Sequence, residues 1–278
     1  MNRFFVLAAL FAANVFVWGI PVPNGLVVSV FDVGQGRTVL IQGPKGAAVL
    51  VDGGPDSSVL RGIGNALPFF ARSLDAVIES DPDSANIGGL PAVFDRYRAG
   101  LFIEPGVSSD TKASAALATS AAEAGAKHLV ARRGMRIFLG KGAYADVLYP
   151  DADVSKADAH SGSIVLHIVY GSTSFLLSGD ATTKVQKHLL SLDPAGLTSD
   201  VILAPHYGSK GSALPAFAEA VAPRYTVFSA SCDNRWGYPV PEAVSLFERL
   251  GAETLTTCKI GTMTFRSDGI SVYPYLFQ

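Results

Sequence analysis

Cysteine and charge are both scarce in this chain of 278 residues. Its two cysteines, Cys232 and Cys258, are too few for a disulfide scaffold and do not form a zinc-type pair, although they could bridge in an oxidising compartment. Charged residues make up only 17%, and the net charge of −2 excludes a general electrostatic attraction to nucleic acid. The chain also lacks an internal linker, a low-complexity tract and a motif-level repeat, so a single main domain is the simplest organisation.

A long uncharged run is present at the N-terminus. Residues 4–20 contain no charged side chain and follow Arg3. Such a run is at the lower limit for a membrane span and somewhat long for a cleaved signal, and the aromatic residue and prolines that end it favour an uncleaved anchor. We therefore expect residues 1–23 to be a signal anchor or signal peptide, with residues 24–278 forming a domain on the extracytoplasmic side. A buried N-terminal helix is the alternative.

The pattern of apolar residues predicts an α/β (α+β) protein. Runs at residues 26–31, 38–41 and 48–52 are separated by glycine-rich turns, which predicts a meander of three strands. From residue 183 to residue 257 helical and strand patterns alternate, and a hairpin follows. Strands that begin as a meander and later alternate with helices indicate two sheets with helices on the outside.

The most informative segment is a polar loop at residues 80–90, Ser-Asp-Pro-Asp-Ser-Ala-Asn-Ile-Gly-Gly-Leu, which follows an apolar strand pattern. α/β proteins place their chemistry at this end of a strand. The loop resembles the Ser-His-Pro-Asp-Ala-Asp-His-Ile-Gly-Gly-Leu signature of metallo-β-lactamase-fold hydrolases, in particular the soluble domain of ComEC-type competence (DNA-uptake) proteins. Asp81, Ala85 and Asn86 stand where that family has His, Asp and His, and only Asp83 remains as a family-type carboxylate.

Further motifs extend the resemblance over residues 26–272. Residues 32–36 match the opening motif of the family, with Arg37 in place of its usual Asp, and residues 51–54 match the next motif. Residues 177–180 match the segment whose Asp usually bridges two metals. Residues 205–209 and 234–239 resemble Pro-His-His-Gly-Ser and Asn-Arg-Tyr-Gly-His-Pro, with Tyr207 and Tyr238 replacing histidines. The resemblance implies an αββα sandwich of two mixed sheets with outer helices, preceded by the N-terminal apolar helix.

The residues that match the family and those that differ belong to two chemical classes. Glycines and prolines that set backbone geometry are kept, whereas the changed positions are ones whose side chains would bind metal or polarise substrate. The resemblance would place a metal on Asp81, Asp83, Asn86, Asp180 and His206, with Asp83 and Asp180 as the catalytic residues of an active enzyme. A hydrolytic zinc needs about three protein ligands, mostly imidazole. This oxygen-rich set with one imidazole is poor for zinc and better suited to Mn²⁺, Mg²⁺ or Ca²⁺.

Several neighbouring residues have simpler interpretations. Without a cation, the converging carboxylates would repel one another unless Asn86 and Tyr207 separate them. Tyr207, Trp236 and Tyr238 either fill the vacated space or line a ligand pocket, and filling is favoured because protein interiors contain few voids. Asp52 is interpreted as a turn-stabilising carboxylate. His160 has no partner at a metal-binding spacing.

Two hypotheses about function remain open. The favoured one is a catalytically impaired module without a bound cofactor, which contacts the membrane through its N-terminal segment and binds DNA or another phosphodiester. The second is a phosphodiesterase or nuclease that uses a divalent cation (Mn²⁺, Mg²⁺ or Zn²⁺). Zinc-dependent hydrolysis of β-lactams is disfavoured by the missing imidazoles, and the sequence indicates no particular protein partner.

Overall fold

The structure is a computed structural model that describes residues 24–276. Within this range the strands are β1 (Leu26–Val30), β2 (Val39–Gln42), β3 (Ala48–Val51), β4 (Ser73–Ile78), β5 (Arg98–Glu104), β6 (Lys127–Val130), β7 (Arg136–Gly140), β8 (Ala143–Tyr149), β9 (Val165–Tyr170), β10 (Thr173–Leu177), β11 (Val201–Leu203), β12 (Tyr225–Phe228), β13 (Glu253–Thr256), β14 (Met263–Ser267) and β15 (Val272–Leu276). The α-helices are α1 (Val59–Ala66), α2 (Ser84–Ile87), α3 (Leu90–Arg96), α4 (Lys112–Glu123), α5 (Thr183–Leu192), α6 (Pro215–Val221), α7 (Pro241–Arg249) and α8 (Thr257–Ile260). Short 3₁₀ turns lie at Ala195–Leu197 and Pro205–Gly208.

The strands form two mixed sheets. The first has eight strands in the order β15-β14-β1-β2-β3-β4-β5-β6, and the second has seven in the order β13-β12-β11-β10-β9-β8-β7. In the first sheet β1, β2 and β3 pair antiparallel, whereas β3 to β6 are parallel. In the second, β10 to β13 are parallel and β7 to β10 are antiparallel. The parallel strands are the ones that alternate with helices, as crossover connections require.

Alternation along the strands creates three apolar layers. On β2 the side chains of Val39 and Ile41 enter a core between the two sheets, while Leu40 enters a core beneath the helices of the first sheet. On the second sheet Phe175 faces the central core and Ile202 faces the layer under the outer helices. Because both faces of each sheet are covered, the central strands read as continuous apolar runs. Helices therefore cover both outer surfaces of a two-sheet sandwich.

Most predicted elements are present, and the prediction of two mixed sheets with outer helices is confirmed. Strand β5, which the sequence pattern did not predict, contains Gly100 and charged ends, and it is specified by parallel pairing with β4. The expected apolar helix of residues 1–23 lies outside the described residues. Among residues 24–276, no helix combines the length and apolar character needed to cross a membrane.

The two cysteines form a disulfide bond. Cys232 lies in the loop after β12 and Cys258 lies in α8, with 5.3 Å between their Cα atoms. The bond closes a loop of 26 residues that includes α7 and β13. The pairing that the sequence left open is thereby formed in the folded domain.

Candidate functional site

The loops that carry the site residues follow the ends of seven strands. They are the connections after β1, β3, β4, β8, β10, β11 and β12. Three residues of these loops have left-handed backbone conformations, with φ of 61° at Asp52, 46° at His206 and 58° at Tyr207. Non-glycine residues adopt such values at a cost of about 1–3 kcal/mol and concentrate at functional sites. The backbone therefore holds these side chains in place at some expense of local stability.

Arg37 lies at the centre of the site and is almost completely buried, with 2% of its side chain exposed. Its Nε donates to Asp52 (2.8 Å), Nη1 to Asp180 (2.9 Å), and Nη2 to both Asp81 (2.9 Å) and Ser80 (2.8 Å). The three carboxylates that converge are thus those of Asp52, Asp81 and Asp180. Asp52, interpreted from the sequence as a turn-stabilising carboxylate, accepts a hydrogen bond from the Ser80 backbone (2.8 Å) and is also part of this ion cluster.

A second set of hydrogen bonds links the positions at which the family has histidines. The Tyr207 hydroxyl donates to the Asn86 side-chain oxygen (2.8 Å), and the Asn86 amide nitrogen donates to Asp81 (3.0 Å). The Tyr207 ring is buried and its centroid lies 5.8 Å from the Arg37 guanidinium carbon. These contacts show that Tyr207 and Asn86 form part of the packed interior and pair with their neighbours.

Asp83 lies apart from the cluster of carboxylates around Arg37. Its carboxylate accepts a hydrogen bond from the Ala85 backbone (2.9 Å) and caps the N-terminus of α2. Capping of this kind is a common role for Asp at a helix start. Asp83 is therefore half-buried at the edge of the site, and the carboxylate that completes the cluster belongs to Asp52.

His160, for which the sequence offered no partner, lies against the site. Its ring stacks on that of His206 with 4.6 Å between centroids, and its Nδ1 lies 3.3 Å from Asp180 Oδ2. The ligand atoms of His160, Asp180 and His206 all lie within 4.8 Å of one another. The earlier interpretation of His160 is therefore wrong. No local pattern indicates this contact, because His160 precedes β9 and is far from both partners along the chain.

The pKa values in the cluster are shifted in different directions. Burial and the neighbouring Asp180 charge raise the pKa of Asp81 to about 7, against the effect of Arg37. At Asp180 burial acts in the same direction, but Arg37 and His160 outweigh it and lower the pKa to about 2. Asp180 in turn raises the pKa of His160 to about 8, whereas burial lowers the pKa of His206. Near neutral pH, Arg37 and His160 are positive, Asp180 is negative and His206 is neutral.

Aromatic side chains surround the outer end of the site. Tyr238 lies 6.0 Å from His206 between ring centroids, and Trp236 stacks on Tyr238 at 6.2 Å. Arg235 lies over the Trp236 ring at 4.4 Å. Trp236 is 49% exposed, so the predicted filling of vacated space applies to Tyr207 and not to Trp236. Trp236 and Tyr238 instead form a partly exposed stacked surface beside His206.

Two glycines allow the loops of the site to approach one another closely. A Cβ at Gly89 would overlap the carbonyl oxygens of Gly53 and Asp56, which ties the loop after β4 to the loop after β3. Gly179 has φ of 55°, and a Cβ there would overlap the Ser163 hydroxyl. That hydroxyl accepts a hydrogen bond from the Asp180 backbone (2.9 Å). These glycines therefore allow the loops to approach closely enough to place Asp180.

The donor groups fit one divalent cation better than two. The carboxylate cluster already holds the Arg37 guanidinium, whose positive charge would repel a second cation in the same place. His160, Asp180 and His206 offer two imidazoles and a carboxylate, and this set is compatible with a single divalent cation. Neither His160 Nδ1 nor Asp180 Oδ2 has a well-aligned hydrogen bond among the described residues. The fold thus retains a possible single-cation site beside a cluster that does not fit a metal.

The two-sheet sandwich with these loops at one edge defines the class of protein: it has the metallo-β-lactamase fold. The metallo-β-lactamase-fold protein YhfI from Bacillus subtilis matches it with a TM-score of 0.57, at 13% identity, over 87% of this chain and 100% of that protein. That similarity shows the fold alone.

Sequence relatives give the narrower identification. ComE operon protein 3 of Bacillus subtilis (strain 168) is 27% identical over 269 residues, which cover 89% of this chain and 34% of that protein. Competence protein ComA of Neisseria gonorrhoeae is 26% identical over 263 residues, which cover 92% of this chain and 35% of that protein. No protein-family model matches the chain. Together, the fold and these relatives support a metallo-β-lactamase-fold protein of the ComEC type, and the chain spans about a third of the length of those two relatives.

Proposed function

We propose that this protein is a catalytically impaired member of its class and acts as a binding or structural module in DNA uptake. One observation supports the impairment most strongly: the side chains at the altered ligand positions are paired with one another and with Arg37. Asp81 accepts from both Arg37 and Asn86, and Asn86 accepts from Tyr207. Groups that are already paired in a dry interior gain little from a metal and have few free lone pairs to offer it.

The proposal places the domain of residues 24–278 on the extracytoplasmic side of a membrane, anchored by residues 1–23. The Cys232–Cys258 disulfide supports this placement, because disulfides persist mainly in oxidising compartments. Mass spectrometry of the protein isolated from cells with thiols blocked would test it. Recovery of the pair as free thiols would argue against an extracytoplasmic domain.

The proposed ligand is DNA or another phosphodiester chain. The name of the Neisseria gonorrhoeae relative refers to competence. The stacked pair of Trp236 and Tyr238 is a partly exposed aromatic surface, of the kind on which bases of a single strand stack. Arg235 adds a positive charge at the same surface. Because the net charge is −2, binding would depend on this local surface and not on overall charge.

Impairment is tested on the purified full-length protein. We expect elemental analysis to find less than stoichiometric metal, and assays with Mn²⁺ to show no turnover of DNA or of a phosphodiester such as bis-p-nitrophenyl phosphate. Stoichiometric metal together with turnover that His206→Ala abolishes would contradict the proposal.

DNA binding is tested separately by filter binding of a single-stranded oligonucleotide at low salt. Trp236→Ala should weaken binding at least several-fold, because a stacked base contributes about 1–3 kcal/mol. Phe138→Ala is the matched control, since Phe138 is an exposed aromatic residue on β7, where no candidate site residue lies. Equal binding by wild type and both variants would remove the stacking surface from the proposal, and absence of binding by wild type would remove DNA.

A second candidate function, a metal-dependent phosphodiesterase or nuclease, is favoured by the grouping of His160, Asp180 and His206. A cation held there would lower the pKa of a bound water and so supply a nucleophile. His206 would serve as a neutral ligand, which its lowered pKa favours. The elemental analysis and turnover assays above distinguish this candidate, with His160→Ala and His206→Ala each expected to release the metal.

A further inference from the structure

The Arg37 side chain is almost completely buried and yet carries a full positive charge. It reaches the interior from the connection between β1 and β2, whereas Asp52, Asp81 and Asp180 come from the ends of three other strands. All three carboxylates are fully buried. The cluster therefore brings together a guanidinium and three carboxyl groups that the chain supplies from four separate segments.

Neither half of this cluster would be stable alone. A buried guanidinium without partners, or three buried carboxylates without a cation, would each cost several kcal/mol of desolvation and repulsion. The planar guanidinium resolves the conflict because its nitrogens point in different directions, and each carboxylate takes one of them at 2.8 to 2.9 Å. Arg37 thus fulfils the charge-balancing role that a bound cation has in an oxygen-rich site.

The oxygens around the guanidinium are also those that a hard cation prefers. Asp52, Asp81 and Asp180 each direct a carboxylate oxygen at it, and the Ser80 hydroxyl lies 2.8 Å from Nη2. Divalent cations such as Mn²⁺, Mg²⁺ and Ca²⁺ bind clusters of carboxylate and hydroxyl oxygens. Shortening Arg37 to alanine would leave these oxygens in place and open space for an ion and water.

We propose that Arg37 is a built-in structural cation and that Asp52, Asp81 and Asp180 form a latent divalent-cation site, which Arg37 keeps closed. This inference rests on the proposed function, because a cluster that carries its own cation has no room for a catalytic metal. It goes further in stating which group replaces the metal and what its removal restores.

The test is thermal unfolding of the full-length chain with and without millimolar Mn²⁺, Mg²⁺ or Ca²⁺. Arg37→Ala should lower the melting temperature by roughly 10 °C in chelator, and at least one of the cations should restore half or more of that loss. Wild type should show no comparable rise. The control is Arg136→Ala, which removes an exposed pair with Asp146 and should change the melting temperature by less than about 2 °C, with no response to cations.

Two additions keep the test decisive. Arg37→Ala combined with His206→Ala should retain the cation response, whereas loss of the response would assign it to the neighbouring histidines and contradict the latent site. If Arg37→Ala does not fold on expression, it is refolded from urea with and without Mn²⁺. Recovery that requires Mn²⁺ supports the inference, and equal recovery, or none in either condition, overturns it.

An Arg37→Ala protein that melts at the wild-type temperature, or whose loss no divalent cation restores, would also overturn the inference. The proposed function is judged on wild type alone, by its metal content and turnover. The two can therefore fail separately.

Discussion

Replacing Glu79 with glutamine should remove much of the loss of stability that wild type suffers as the pH rises from about 5 to about 8. Glu79 follows β4 and is buried, with 7% of its surface exposed. Burial, followed by the negative charges of Glu104, Asp52 and Asp81, raises its pKa from 4.5 to about 8. The folded protein therefore holds a proton on Glu79 over a pH range in which the unfolded chain has released it.

The sign follows from proton linkage. Below about pH 4.5 the carboxyl is protonated in both states, and its contribution to stability is fully present; it is lost as the pH rises through about 8. A shift of this size corresponds to an upper limit of about 5 kcal/mol. Relaxation and water entry reduce such penalties, so we expect about 2–3 kcal/mol, or roughly 5–10 °C in melting temperature for a domain of this size.

The assay is urea unfolding of wild type and Glu79→Gln, monitored by circular dichroism at pH values from about 4.5 to above 8. The two proteins should have similar free energies of unfolding near pH 4.5, and the variant should be more stable above pH 8. Glu104→Gln should move the wild-type pH dependence to lower pH, because it removes a neighbouring charge. Glu219→Gln, at an exposed position on α6, is the control. A stability difference between wild type and Glu79→Gln that stays constant with pH would refute the assignment.

Three other variants, one of them with its own control, test the packing around the site and the disulfide. Replacing Cys232 and Cys258 with serine should lower the free energy of unfolding by about 3 kcal/mol, because it opens a 26-residue loop. In urea unfolding, wild type in reductant should be as stable as this variant. A difference between the two would mean that the serine side chains themselves change the stability. Tyr207→Phe should cost about 1–3 kcal/mol by the same measurement, since it leaves a buried amide oxygen without its donor, and an unchanged value would place water there. Gly179→Ala should lower the melting temperature by several degrees, because residue 179 has a φ of 55° and the added Cβ would overlap the Ser163 hydroxyl. Gly142→Ala is the control for positive φ alone, since a Cβ at Gly142 would meet nothing within 4 Å. Equal losses of melting temperature in the two variants would exclude a contribution from the overlap.

Local sequence patterns were sufficient for most of the fold. The runs that became β1, β2 and β3 are rich in β-branched residues and bounded by glycine turns, so their strand character is visible without tertiary information. Strand β5 was missed because Arg98, Gly100 and Glu104 weaken its local pattern. Its conformation is fixed by hydrogen bonds to β4 and β6, which a local pattern does not contain.

The candidate site was predictable only in part. The loop after β4 and the segment before Asp180 could be located from their motifs, and the structure brings Asp81, Asn86 and Asp180 together. Arg37 was visible only as a departure from the family motif, and its partners lie 15, 44 and 143 positions away along the chain. His160 carried no signal at all.

The sequence by itself determined that the glycines and prolines of the metallo-β-lactamase loops are kept while most of the imidazole ligands are absent. This is visible without the structure because it depends only on which residue type stands at each position of a motif. Only the tertiary structure decided that Arg37 pairs with three buried carboxyl groups and that His160 joins Asp180 and His206. The physical reason is that charge balance and metal coordination depend on distances of a few ångströms between segments far apart in the chain. Those distances are set by strand pairing and by the close approach of the loops, and not by any local pattern of residues.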